Sequence, residues 1–323
     1  MPRQTILVVS DIHYASAAEK LRLDHESLVI RNPLLRLALK FIRHYIWLRE
    51  PMHKNHLLDQ FLSRVRPGDW VIANGDYSCD SAFTGVSDEA AFQSAHECLE
   101  KLRGKSSPDF RATIGDHELG KMSFFGSRGG LRLASYHRAE QELGFEPFWQ
   151  WPLGNYVLMG VVSSLIALPV YEPDTLAEER GEWARLRTAH LAKISDAFTN
   201  LQPEQKVILF CHDPTALPFL WEVAAIRAQL PQLEQTIIGH LHSPLILWKS
   251  RRMAGLPVIG FLGHTIKRMS RALRAARRWR DFHVCLCPSL AGIELLKDGG
   301  YLSIELDPEA KEPARVQRHR IRR

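Results

Sequence analysis

Short apolar, β-branched runs recur along the chain, each followed at once by turn or polar residues: Thr5–Ser10, Trp70–Asn74, Arg111–Gly115, Tyr156–Ser163, Lys206–Cys211, Thr236–Gly239 and Pro257–Leu262. Runs of this length bounded by turn signals predict buried strands. Between several of them the apolar positions change to helical spacing, in Leu57–Val65, Ala90–Leu102 and Glu182–Leu201. That alternation predicts an α/β protein with a largely parallel sheet, at least in its first half. The end of the chain reads differently. Gly292–Leu296, Asp298-Gly299-Gly300 and Tyr301–Leu306 combine alternation with turn residues, which predicts a β-hairpin closing a sheet edge or a second sheet.

One segment breaks the alternation. From about Leu21 to Pro51 a whole helix-forming stretch stands between the first strand and the helix near Leu57, which reads as an insertion within residues 16–54. Pro33 suits a first helical position. The run to Arg49 spreads Leu34, Leu35, Leu37, Leu39, Phe41, Ile42, Tyr45, Ile46, Trp47 and Leu48 over most of the helix circumference. Arg36, Lys40 and Arg43 form a basic stripe on it. A second segment, about 264–281, repeats Ile266, Met269, Leu273, Ala276 and Trp279 at helical spacing among seven basic residues. Two outcomes are open for these amphipathic pieces. They lie in an anionic membrane interface or cradle an acyl chain, with Phe41, Trp47, Arg271 and Arg274 as contacts, or they pack on the domain with their arginines solvated.

Composition narrows the class. With 323 residues, 45% hydrophobic and 24% charged, the chain suits a single globular domain over residues 1–310, and no run approaches the ~18 apolar residues of a membrane span. The apolar run Ile6–Val9 is too short for a secretory signal. Five cysteines, an odd number, show neither a disulfide framework nor CxxC spacing. A cytoplasmic protein is expected, peripheral on the inner face of the membrane if the interfacial outcome holds. The net charge of +6 is uneven: Lys267–Arg280 carries seven bases and no acid, and the tail 311–323 carries six bases and one acid, so the rest is acidic. Such segments suit an anionic partner, whether membrane surface, nucleic acid or phosphorylated substrate; the alternative for the tail is a solvated, disordered end.

The candidate chemistry lies at the carboxyl ends of the predicted strands, where open α/β sheets gather their functional groups. Asp11-Ile12-His13 follows the first strand, Asn74-Gly75-Asp76 the second and Gly115-Asp116-His117-Glu118 the third. Cys211-His212-Asp213 follows the fifth and Gly239-His240-Leu241-His242 the sixth. Carboxylates and neutral imidazoles are ligands for hard-to-borderline divalent metals, and seven such groups converging suit two ions sharing one carboxylate. Asp80, Glu118 and Asp213 read as supporting rather than catalytic residues.

These five blocks, in this order over residues 11–242, resemble the calcineurin-like metallophosphoesterase superfamily, whose motifs run DxH, GD, GNHE or GNHD, a lone H, and GHxH. The resemblance implies a four-layer α-β-β-α sandwich and a dinuclear-metal phosphoester hydrolase. It places Asp11, His13 and His242 on one metal, Asp116, His212 and His240 on the other, and Asp76 between them. It also makes His117 the group that assists the leaving oxygen after in-line attack of water on phosphorus. Mn²⁺ suits the ligand set, with Fe²⁺ or Zn²⁺ as alternatives. Arg128 and Arg132, in a glycine-containing stretch after the third block, are candidate phosphate contacts.

Two departures from the family pattern stand out. Asp116 replaces the usual Asn, making the site one charge less positive, which predicts firmer metal binding and a weaker Lewis acid. Cys79 and Asp80 occupy the places where the family's protein phosphatases carry Asp and a phosphate-gripping Arg. The interfacial outcome would make the substrate a lipid-linked phosphate or pyrophosphate, similar to that of the UDP-2,3-diacylglucosamine pyrophosphatases of lipid A synthesis. A nucleotide or nucleic-acid phosphodiesterase and a non-catalytic scaffold are the alternatives.

Overall fold

The computed structural model describes residues 3–22, 30–106, 109–123, 128–257, 270 and 272–321. Among the described residues, ten strands form two five-stranded sheets. The first has the order β10-β9-β1-β2-β3, where β1 is Gln4–Val9, β2 Trp70–Asn74, β3 Phe110–Thr113, β9 Gly300–Leu306 and β10 Arg315–Arg320. The second has the order β4-β5-β6-β7-β8, with β4 Phe148–Leu153, β5 Tyr156–Val161, β6 Lys206–Cys211, β7 Leu233–Ile238 and β8 Val284–Leu286. The central strands of each sheet are parallel, and β4, β9 and β10 pair antiparallel.

Period-two alternation sets the layers. Ile6, Val8 and Ile72 point into one cluster with Trp149, Leu158, Ile208, Phe210, Ile237 and Ile304, which joins the inner faces of the two sheets. Their neighbours Leu7, Val9, Val71 and Ala73 pack instead with Leu57, Phe61 and Leu99 of the helices Asn55–Leu62 and Glu89–Ser106. Val207 and Leu209 do the same in the other sheet with Trp183 and Phe198 of the helix Arg180–Thr199. This is the α-β-β-α sandwich. Each fully buried side chain such as Phe210 or Leu158 contributes about 1.5–3 kcal/mol of transfer free energy, so the inter-sheet layer holds the two halves of the site together.

Several expectations need correction. Gly292–Leu296 is not a strand. The backbone N–H groups of Glu294 and Leu295 donate to the carbonyls of Trp47 and Ile46, and Asp298 holds the loop through the Ile293 N–H and the Ser243 hydroxyl, so no hairpin ladder forms there. Tyr301–Leu306 pairs with β1 and β10 instead. Within the basic segment 311–323, Arg315–Arg320 forms the edge strand β10, anchored by stacking of His319 on Tyr301. Charged side chains on an edge strand discourage pairing with other chains. Strands β4 and β8 escaped the sequence pattern. The first carries Pro152, which an edge position tolerates, and the second is three residues long. The expected strand Pro257–Leu262 lies outside the described residues from position 258 onward.

The two amphipathic segments meet different fates. Pro33–Ile42 is an α-helix capped by the Asn32 side chain and continued by a π-helical turn, Arg43–Trp47; no residue of either is buried. Leu37 is 67% exposed and Phe41 59%. In the described part of the second segment, Ala276 and Trp279 are buried at 3% while Arg274, Arg277, Arg278 and Arg280 face solvent. There Ala276 and Trp279 belong to the core and are not free to meet a membrane, while Leu273 is half-buried; Ile266, Met269 and Arg271 lie outside the described residues. Arg274 lines a surface cavity around Trp221, on whose ring Arg278 stacks at 3.5 Å. No described helix is long and apolar enough to cross a membrane. All five cysteines are free, four of them buried.

Candidate metal centre

The ends of β1, β2, β3, β6 and β7 bring the seven predicted ligands together. Ligand atoms of Asp76, Asp116, His212 and His240 lie within 4.8 Å of one another, as do those of Asp11, His13 and His242, and those of His13, Asp76 and His117. Asp76 thus borders both halves. Its Oδ2 is 3.2 Å from His212 Nε2 and 3.7 Å from His117 Nε2. Asp116 Oδ1 lies 3.3 Å from His212 Nε2 and 3.1 Å from His240 Nδ1, and Asp11 Oδ1 lies 3.2 Å from His242 Nε2.

The backbone is bent to make this convergence. Asp11, His13, Asp76, His240 and His242 all have left-handed φ values between 50° and 61°, a region that non-glycine residues rarely occupy. Strain of about 1–3 kcal/mol at each such residue persists where surrounding structure enforces it. The glycines of the motifs enforce it by close approach. A Cβ on Gly115 would sit 2.3 Å from Asp76 Oδ1, and one on Gly239 would sit 2.1 Å from Ser10 Oγ.

Supporting hydrogen bonds fix each ligand. His212 Nδ1 faces the Asn74 carbonyl at 2.6 Å, His13 Nδ1 the Ser78 carbonyl at 3.4 Å and His117 Nδ1 the Cys79 carbonyl at 3.1 Å. With Nδ1 turned to backbone carbonyls, Nε2 is the atom each ring directs toward the cluster, the usual orientation control around a metal. Ser10 Oγ donates to Asp11 Oδ2 at 2.6 Å. Glu118 braces the backbone around the cluster: its carboxylate accepts from the N–H groups of Asp76, Tyr77 and Gly115 at 2.8–3.0 Å. Asp213 accepts from the Thr215 N–H and the Tyr171 hydroxyl, and Asp80 from the Gly85 N–H.

The donor set fits divalent cations. His212 Nε2 is buried and has no hydrogen-bond partner, although two carboxylates stand beside it. Burial opposes its protonation, yet Asp76 and Asp116 raise its pKa well above the usual imidazole value, and His240 is likewise pushed up to about 9, chiefly by Asp116. The carboxylates call for positive charge at this point. Burial holds His13 down to about 4, His242 to about 3 and His117 well below its ordinary value, so these imidazoles are neutral and ready to donate lone pairs.

Sequence reasoning missed two neighbours of the site. The Trp47 ring lies 5.1 Å from the His242 ring, so the insertion reaches the centre itself. Lys121 Nζ donates to His117 Nε2. Its place four residues after His117, across a one-turn helix, was the available signal. Arg132 is occupied with the carbonyls of Gly129 and Leu131, Arg128 is exposed, and among the described residues neither guanidinium pairs with a ligand of the cluster.

Fold and site together define a metal-dependent phosphoester hydrolase. The family model for calcineurin-like phosphoesterases matches residues 4–244, and the chain belongs to that family, whose members bind two divalent metals. No curated protein sequence matches it. Among solved structures it is similar to a phosphopantetheinyl hydrolase from Mycobacterium tuberculosis, at 14% identity over 75% of this chain and 84% of that one, with a TM-score of 0.36. It is also similar to GAP50, the anchor in the inner membrane complex of Plasmodium, at 9% identity over 100% of this chain and 90% of that one, with a TM-score of 0.41. Likenesses this distant carry no argument about substrate.

Proposed function

We propose that the enzyme hydrolyses a lipid-linked phosphate or pyrophosphate at an anionic membrane surface, in the manner of a UDP-2,3-diacylglucosamine hydrolase. The observation that supports this reading is the Pro33–Trp47 segment. It leaves Leu34, Leu37, Phe41 and Tyr45 exposed and ends with Trp47 against His242. An exposed apolar helix bearing Arg36, Lys40 and Arg43 suits an interface with anionic headgroups, and its end at the cluster would deliver a headgroup phosphate to the ligands. Arg36 also braces the helix start by donating to the Ile30 carbonyl. The comparison with lipid A enzymes rests on analogy of arrangement.

In this reading Asp11, His13 and His242 would hold one cation and Asp116, His212 and His240 the other, with Asp76 shared between the two sets, and Mn²⁺ would be the preferred metal. The cations would supply the positive charge that activates water and offsets charge on the phosphoryl oxygens. His117 orients the leaving oxygen, and the substrate headgroup enters past Trp47.

Flotation with anionic and neutral vesicles tests the substrate class, alongside hydrolysis of bis-p-nitrophenyl phosphate and p-nitrophenyl phosphate with Mn²⁺. Binding to anionic vesicles that is lost when Phe41 and Trp47 become Asp supports the lipid reading. Salt-sensitive DNA binding without vesicle binding replaces it with a nucleic-acid phosphodiesterase, and metal uptake with no hydrolysis of any ester replaces it with a scaffold.

A further inference from the structure

We propose that Lys121 is the phosphate-gripping cation of this enzyme, a role that rests on the phosphoesterase reading and on no particular substrate. The arginine that serves protein phosphatases of the family is absent here, its place taken by buried Asp80. Lys121 approaches from another side. It follows the single helical turn Asp116–Leu119 and donates from Nζ to His117 Nε2, whose ring is 4.6 Å from that of His13 and whose Nε2 is 3.7 Å from Asp76 Oδ2. The ammonium therefore stands at the rim of the cluster.

Three features separate this lysine from a solvated surface cation. It is partly buried, and its only hydrogen bond to a described residue is the one to His117, so two of its three N–H bonds have no protein partner there. Among the described residues no carboxylate pairs with it directly, although its charge acts on buried Asp80 and on Asp116. Its backbone is also fixed. Gly120 and Gly129 pack so closely around it that a Cβ on Gly129 would sit 2.5 Å from the Lys121 carbonyl oxygen, and one on Gly120 would sit 2.4 Å from that of Gly130.

Two divalent cations in the centre would repel a half-buried ammonium at its rim unless an anion completed the arrangement. A phosphoryl group does so: one oxygen accepts from Lys121 Nζ while its other oxygens face the ligand cluster. Formal charge agrees. Asp116 makes the site one unit less positive than the usual Asn would, and Lys121 restores that unit at the rim, beside His117. The extra carboxylate and the lysine thus form a compensating pair, which keeps metal binding firm without giving up attraction for an anionic substrate.

Calorimetric titration of the Mn²⁺-loaded protein with inorganic phosphate tests the proposal, together with metal content and thermal unfolding. Lys121→Gln and Lys121→Met are expected to weaken phosphate binding about tenfold to a hundredfold, the loss of one charge-assisted hydrogen bond, with metal content and Tm unchanged. Lys121→Arg should retain most of the affinity. Phosphate affinity equal to wild type in both neutral variants overturns the proposal, and so does loss of metal together with phosphate, which would make Lys121 a support of the centre. A wild-type protein that takes up metal and binds no phosphate overturns the phosphoesterase reading beneath it.

Discussion

His13 and His242 lie on one side of Asp76 and His212 and His240 on the other, all close to carboxylates, yet the first pair is pushed down to about 4 and 3 while the second is pushed up, His240 to about 9. Burial lowers all four. What differs is the charge left over to oppose it. Asp11 already accepts from the Ser10 hydroxyl and the His240 N–H, and His240 and Lys121 add positive charge near His242. His212, by contrast, faces both Asp76 and Asp116 with no hydrogen bond to either. One half of the centre is thus prepared as neutral lone pairs, and the other as a concentration of negative charge that holds protons until a cation displaces them.

The largest effect should come from removing the residue the halves share. Asp76→Ala is expected to lower kcat by about 10³-fold or more, the scale of losing a group at the reacting centre, and to leave fewer than two metal equivalents in the purified protein. Retention of both metals would break the comparison by showing that each half stands alone.

Asp116→Asn acts on one half only. It should lower the affinity of the second cation and shift the acidic limb of the kcat/KM profile to lower pH, because a more positive centre acidifies the attacking water. An unchanged profile would sink the charge argument.

A smaller, sharper signature lies in proton release. The carboxylates beside them push His212 and His240 up, so a cation entering that half at pH 7 must expel protons, and its affinity rises with pH. His13 and His242, depressed to about 4 and 3, are already neutral at pH 7 and release none. Metal titrations at pH 7 in buffers of different ionisation enthalpy should therefore show one proton-releasing and one proton-silent binding event. Equal release from both events would contradict the asymmetry.

Much of this centre was legible in the sequence because each ligand sits just after a strand, where topology places it whatever the loops do. Asp11 and His240 are 229 positions apart, and the Asp11 carboxylate accepts from the His240 N–H at 3.1 Å. Other features depend on what lies opposite, which periodicity does not encode. The pattern of apolar and basic positions is alike in Pro33–Trp47 and in the segment ending at Arg280, but Trp279 packs in the core and Phe41 faces solvent. Gly292–Leu296 reads as a strand, and its donors are claimed by Trp47 and Ile46. Strand β10 hides behind its arginines, which an edge position accommodates and a buried one would not. Lys121 lay past a motif that ended at Glu118, separated from it by Leu119 and Gly120.

The most direct test is anomalous X-ray scattering from crystals grown with Mn²⁺. The account predicts two peaks, one among Asp11, His13, His242 and Asp76 and one among Asp76, Asp116, His212 and His240. A single peak, or metal bound away from Asp76, would contradict it.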